Sequence, residues 1–426
     1  MRRGHLVALA LSVAVIARMS SAGGTSPPTD DDDAAALSLP VSAPTPEDSP
    51  KRWSLTTESA LTSAALRSAG TVQTERLSFD GRFDATLAPG VRLVVADLLD
   101  LDAQQLFAAG QGINTFKEAY VSWQAADDLI LDAGRINLRQ GVAFGYNPTD
   151  FFREDAVRTV DSLDPDSLRQ NRLGTAMLRG QALWDSGAVT ASFAPRIESS
   201  AAVGPFNPDF GATNHATRWM LAVSQRFGAD LSPQLLLFGG DPGSPQLGLN
   251  LTHVVGDSVV AFIEASGGHQ PSLWSQAGNV ANDGSLRARA ATGFTYSAAN
   301  KLSVTLEYEY SGAALGRAEW NYARQYARSD YGRYRLLASD QQDPVTPHNA
   351  FVYATWQDLG IRHLDLTAFL RVDLVDHSTL PWVEIRYHWS RLDAAIRWQD
   401  VTGDSTSDFG AAPAGRTWQA VLDYYL

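Results

Sequence analysis

Apolar and polar residues take turns along this chain. From Leu302 to Ser311, the apolar positions Leu302, Val304, Leu306, Tyr308 and Tyr310 alternate with Ser303, Thr305, Glu307, Glu309 and Ser311. A period of two marks a strand with two unlike faces. Leu77 to Leu87 repeats it, with Leu77, Phe79, Phe83, Ala85 and Leu87 set against Arg76, Asp80, Arg82 and Asp84. From Trp53 onward such segments follow one another through alternately short and long connections. The short ones, such as Ala88-Pro89-Gly90, Asp185-Ser186-Gly187 and Gly256-Asp257-Ser258, have turn composition. The long ones are Asp102 to Asn114, Gly141 to Asn171, Glu198 to Asn214, Gly268 to Gly284, Gly312 to Pro347 and Thr402 to Ala414.

This rhythm predicts an all-β fold, a single transmembrane antiparallel up-and-down barrel of about 18 strands, with about 16 as the next choice. Its outer face meets hydrocarbon and its bore meets water. A soluble sandwich with one wet face also alternates, but explains neither the loop rhythm nor an aromatic strand at the C-terminus. The first strand, Trp53 to Leu66, is the weakest, because Ser59 to Arg67 also suits a short helix. In Val91 to Leu101, Arg92 and Asp97 fall on opposite faces unless a bulge intervenes.

Register follows from energetics. In Leu286 to Tyr296 a slip of one position would turn Arg287 and Arg289 towards lipid, at roughly 2–4 kcal/mol each near the midplane. The arginines therefore face the bore. The same logic turns Asp365, Arg371, Asp373, Glu384 and Arg386 inward, and Trp418, Ala420, Leu422, Tyr424 and Leu426 outward.

The start of the chain changes the picture. Arg2 and Arg3, the apolar stretch Leu6 to Ile16 and the small residues Ser20-Ser21-Ala22 read as a secretory signal over residues 1–22. Residues 23–50, rich in Ser, Pro, Ala and Asp, read as a disordered periplasmic lead-in, which leaves 51–426 for the barrel. Export, strand pattern and loop rhythm together point to the bacterial outer membrane. With no cysteine there is no disulfide framework and no lipid anchor, and a net charge of -13 argues against a nucleic-acid partner.

Lys117 to Trp123, Ala133-Gly134-Arg135 and Gly141 through Asn147-Pro148-Thr149-Asp150 resemble a hairpin and loop of porin-like outer-membrane barrels, the alginate-export group among them. Asp376-His377-Ser378 with Pro381 to Tyr387 resembles a hairpin of such chains. Leu422, Tyr424 and Leu426 resemble the signal read by the barrel-assembly machinery, with Leu426 where phenylalanine is usual. The resemblance implies a monomeric barrel passing a polar or anionic solute.

A pore selects by its width and by the charges that line it. The candidate selectivity residues are Arg82, Asp84, Arg179, Arg287, Arg289, Glu307, Glu309, Asp365, Arg371, Asp373, Glu384 and Arg386, with Arg76 and Arg397 in the same set. Only 3 lysines occur, so nearly all the positive charge is guanidinium, which suits carboxylate or phosphate. The alternative is that these charges pair across the bore and brace it. Phe144, Tyr146, Asp150, Phe151, Phe152 and Arg153 sit in a long segment that either folds inward as a constriction or caps the barrel. Arg317, Arg324, Arg328, Arg333 and Arg335 among tyrosines form a surface for an anionic glycan or lipopolysaccharide phosphates, or a solvated loop; outer-membrane lipid and lipopolysaccharide are the expected surroundings.

The reading is a channel for a polar, anionic or saccharide solute. A receptor or adhesion barrel with a packed lumen is the alternative, and an outer-membrane lipase comes third. His348, His363 and His377 lack metal spacing, and the register turns His388 inward, so no enzyme, cofactor or metal is expected.

Overall fold

The computed structural model describes residues 52–426 except 103–111, 203, 205, 229, 242 and 279–282. The signal and lead-in expected over residues 1–50 lie outside the described residues. Eighteen strands form one sheet: β1 (Trp53–Leu66), β2 (Gly70–Ala88), β3 (Val91–Asp102), β4 (Gly112–Ala126), β5 (Leu129–Ile136), β6 (Thr175–Trp184), β7 (Gly187–Ala194), β8 (Thr217–Gln225), β9 (Leu231–Asp241), β10 (Gln246–Val255), β11 (Val259–Gln270), β12 (Ser285–Ser297), β13 (Leu302–Ser311), β14 (His348–Trp356), β15 (Leu364–Asp373), β16 (Thr379–His388), β17 (Leu392–Asp400) and β18 (Ala414–Tyr425). Each strand pairs antiparallel with its sequence neighbours, and β1 pairs with β18 from Thr56↔Tyr425 to Leu66↔Ala414, so the sheet closes without an edge. The doubtful segment around Ser59 is strand rather than helix, because its Cα partners on both sides complete the ring.

The two faces follow the alternation. On β13, Thr305, Glu307 and Glu309 are buried inside, whereas Leu306 and Tyr308 are exposed on the outer wall. On β12 the same holds for Arg289 and Ala291 inside against Phe294 and Tyr296 outside. Leu178, Leu235, Leu247, Ile396 and Trp418 continue the apolar exterior. No described helix is long and apolar enough to cross a bilayer.

Asp97 resolves differently from the expected correction. The ladder between β3 and β4 shifts at Ala96/Asp97 with Lys117 unpaired, so the bulge falls on β4. Arg92 stays inside, Asp97 remains on the outer face, and the Asn114 side-chain amide donates to its carboxylate at 3.0 Å.

The connections at one end are short turns. At the other they carry α1 (Pro165–Gln170), α2 (Phe210–Thr213), α3 (Leu273–Gly278), α4 (Arg317–Tyr326) and α5 (Arg328–Asp340). Helices α4 and α5 account for the partly helical character read between Glu319 and Leu337. Trp320, Ala323, Tyr334 and Ala338 are their buried side, packed with Leu273, Ala313 and Val345.

Candidate functional site: the bore

The segment between β5 and β6 runs inside the barrel. Two wall carboxylates hold it. Glu264 on β11 accepts the backbone N–H groups of Val142 at 2.8 Å, Ala143 at 3.0 Å and Thr149 at 2.8 Å, and the Thr149 hydroxyl at 2.8 Å. Glu307 on β13 accepts those of Phe144 at 2.8 Å, Gly145 at 3.2 Å and Tyr146 at 3.0 Å. These are charge-assisted bonds that satisfy a stretch of backbone having no ladder partner. Glycine is required where the loop touches the wall. A Cβ on Gly141, whose φ is 103°, would lie 2.6 Å from the Glu264 carboxylate, and one on Gly145 would lie 2.7 Å from the Phe351 ring.

Further along, the Phe151 ring stacks on Phe238 at 4.5 Å, while Phe152 meets it edge-on at 5.8 Å. Ile136, Leu138, Met177, Met220 and Leu236 complete an apolar cluster inside the barrel. Asp150 and Arg172, both almost wholly buried, pair at 2.8 Å. Asp343, between α5 and β14, receives the Tyr146 hydroxyl at 2.7 Å, Arg289 at 2.9 Å and Arg153. Burial opposes ionisation of Asp343, but Arg289 and Arg153 overcome it and hold its carboxyl below the usual carboxylate range.

What remains open is a cavity of about 370 Å³ between this loop, α5 and the β13–β16 wall. Phe144, Phe351, Phe369 and Phe409 give it aromatic faces; Arg169, Arg335 and Arg371 give it guanidinium groups; Glu309 and Asp408 give it carboxylates. Arg371 bonds Glu309 at 3.1 Å and the Gly145 carbonyl, and Arg169 donates to the Gln140 carbonyl at 3.1 Å, while the buried Nε of each has no partner among the described residues. Arg335 stands 3.6 Å from Asp408, a group that burial pushes up to about 7. Arg139 forms no hydrogen bond or ion pair among the described residues. Enclosure in the barrel, then the Arg169 guanidinium, pulls it below its ordinary value.

Beyond Leu163 lies a second space of about 340 Å³, lined by Arg76, Asp161, Trp382, Arg397 and Gln419. A third of about 90 Å³ shares Asp161, Ser162 and Arg397 with it and adds Glu58, Asp80 and Asp423. Arg76 pairs with Glu58 and Asp161, and Arg397 with Glu384 and the Gln419 side chain at 2.9 Å.

The candidate selectivity residues thus fall into separate groups. Glu309 and Arg371 border the main cavity. Glu384 and Arg386 pair at 2.9 Å and join Asp423 in the narrower part. Arg82 is bound to Glu118 at 2.7 Å, Asp84 to Arg92, Arg179 to Asp132 at 2.8 Å, and Arg287 to Asp283 at 2.9 Å. Glu307 and Arg289 hold loops, and Asp373 accepts the Thr346 hydroxyl at 2.7 Å. Asp365 lies 3.4 Å from His388 Nε2, whose Nδ1 faces Asp393 at 2.9 Å, so both ring nitrogens meet carboxylates. Of the loop residues, Phe144 faces the cavity. Phe151 and Phe152 are its wall anchors, and Tyr146, Asp150 and Arg153 border the cavity while buried in the clamp.

Sequence reasoning missed Glu264, Asp343, Arg139, Arg169 and Arg172. Glu264 had a signal, since it shares the bore face of β11 with Phe262 and Ser266. Arg169 lies in the short helix α1, and Asp343, Arg139 and Arg172 stand in irregular loops without periodicity.

No protein-family model matches this chain. No curated protein matches it either. Solved structures do. The outer membrane protein OpdK from Pseudomonas aeruginosa aligns with TM-score 0.56 and 11% identity over 88% of this chain and 98% of its own. OccAB1 from Acinetobacter baumannii gives 0.56 and 11% over 88% and 96%. OccK2 (OpdF) from Pseudomonas aeruginosa in complex with glucuronate gives 0.55 and 13% over 88% and 96%. The likeness is one of fold. None of the three carries the alginate-export description that the short motifs suggested.

Proposed function

We propose that the protein is an outer-membrane channel that passes small carboxylate-bearing solutes, sugar acids foremost. One observation carries the reading. The main cavity sets phenyl faces beside the guanidinium groups of Arg169, Arg335 and Arg371, and Arg139, which forms no hydrogen bond or ion pair among the described residues, feels the charge of Arg169. Phenyl faces suit the C–H faces of a sugar ring, and a planar guanidinium suits carboxylate. The glucuronate-bound barrel and the motif likeness to alginate-export barrels point to the same chemical class. The apolar outer wall and the outward-facing Leu422, Tyr424 and Leu426 support insertion in the outer membrane by the barrel-assembly machinery.

The test is flux into liposomes. Glucuronate is expected to enter faster than glucose, and Arg139→Ala with Arg169→Ala to remove the preference. Equal entry of both sugars into wild-type liposomes would count against the reading. The bridge from Arg76 to Asp161 across the route favours a second reading, a receptor barrel with a sealed lumen; that barrel would admit neither sugar.

A further inference from the structure

A groove of about 390 Å³ opens on the outer wall where β13, β14 and the β15–β16 turn meet the start of α4, lined by Tyr308, Gly316, Arg317, Pro347, His348, Leu374 and Val375. It faces sideways, away from the bore. Tyr308 belongs to the exposed apolar face of β13, next to Leu306, and stands three residues before the strand ends at Ser311, or about 10 Å along it. The wall below continues through Leu306 and Leu370, both exposed. Above it Arg317 is exposed and donates a single hydrogen bond, from Nη2 to the Leu374 carbonyl at 3.3 Å. His348 Nδ1 lies 2.7 Å from the Tyr308 hydroxyl. With that hydroxyl donating, the neutral ring carries its own proton on Nε2, which has no protein partner among the described residues.

We propose that this groove binds the phosphate of a membrane lipid. The guanidinium of Arg317 and the Nε2–H of His348 supply donors to a phosphate, and the apolar wall beneath them receives the acyl chains. Charge complementarity selects an anion at the rim, and continuity with the apolar exterior selects one with a lipid tail over a soluble one. Glu319, in the first turn of α4, reaches back to Gly316 in the groove's lining and sets one carboxylate beside these two donors. The proposal rests on a bilayer surrounding the outer wall and is independent of what the bore carries.

Native mass spectrometry of the full chain in detergent micelles tests it, with dioleoyl phosphatidic acid as the probe, dioleoylglycerol as the tail-only control and inorganic phosphate as competitor. Wild type is expected to hold one phosphatidic acid under conditions where dioleoylglycerol does not bind. Arg317→Ala lowers the affinity about tenfold, His348→Ala lowers it less, and Arg317→Lys retains most of it. Wild-type affinity in Arg317→Ala, equal binding of dioleoylglycerol, or displacement by equimolar inorganic phosphate would each overturn the proposal. Heat-modifiable gel mobility shows that each variant is a folded barrel. Glucuronate flux through Arg317→Ala is expected to equal wild type, so failure of the lipid site and failure of the channel reading are distinguishable.

Discussion

Thr149 and Glu264 meet twice: the backbone N–H and the hydroxyl of Thr149 both donate to Oε1 of Glu264, each at 2.8 Å. A loop of the bore is thereby fastened to the wall by a carboxylate that has no solute to attend to. The bore contains two kinds of charge, those that hold the interior in place and those that border its open cavities.

Glu264→Ala strips the acceptor from the N–H groups of Val142, Ala143 and Thr149. Leaving buried donors unpaired costs about 1–3 kcal/mol each, enough to release the loop turn while the barrel stays closed. Single-channel recording is expected to show larger, noisier conductance and limited proteolysis a new cut near Gly141; wild-type conductance and protection would contradict this.

Arg172→Met leaves Asp150 charged and alone beneath the loop. Breaking a buried pair costs about 3–5 kcal/mol, whereas replacing both partners by Leu and Met costs less. Thermal unfolding in detergent should place the double variant above Arg172→Met.

Asp408 gives the mouth a pH dependence. Burial raises it to about 7, Arg335 opposes, and Asp373 and Asp376 add to the rise. A carboxyl raised in the folded state favours the packed loop below its ordinary value near 4 and loses that contribution as pH climbs through about 7. The 401–413 loop, held to α5 through Arg335 and Tyr331, is therefore tightest in acid. Open probability is expected to rise between about pH 4 and 7, and Asp408→Asn to flatten the curve.

Arg287→Ala with Arg289→Ala would be the obvious selectivity variant from the sequence. The structure redirects it: Arg287 is held by Asp283 and Arg289 by Asp343. Its main effect is expected in unfolding temperature, with reversal potential moved less than by Arg139→Ala with Arg169→Ala.

The walls were legible and the contents of the bore were not. Arg289, Glu307 and Glu384 sit at alternate positions of regular strands, where a slip of one residue would place charge in hydrocarbon, so their direction followed from period and solvation alone. That reasoning assumes a uniformly wet interior. Met177, Met220 and Leu236 break the assumption, for they face inward and are dry only because Phe151 and Phe152 come from a distant loop to cover them. The loop's path depends on long-range partners such as Glu264 with Val142, which no local pattern encodes. Arg139 and Arg169 were invisible for the same reason: the path of the loop, which sets Arg169 against the Gln140 carbonyl and brings Arg139 within reach of its charge, is long-range.

The central claim is that a closed barrel carries anions past the guanidinium groups that border its bore. Reversal potential in a planar bilayer, under a gradient of potassium glucuronate, tests it most directly with purified wild-type protein. The account predicts a conducting channel whose potential lies on the anion side and moves towards cations in Arg139→Ala with Arg169→Ala; a silent bilayer, or a cation-selective wild type, would contradict it.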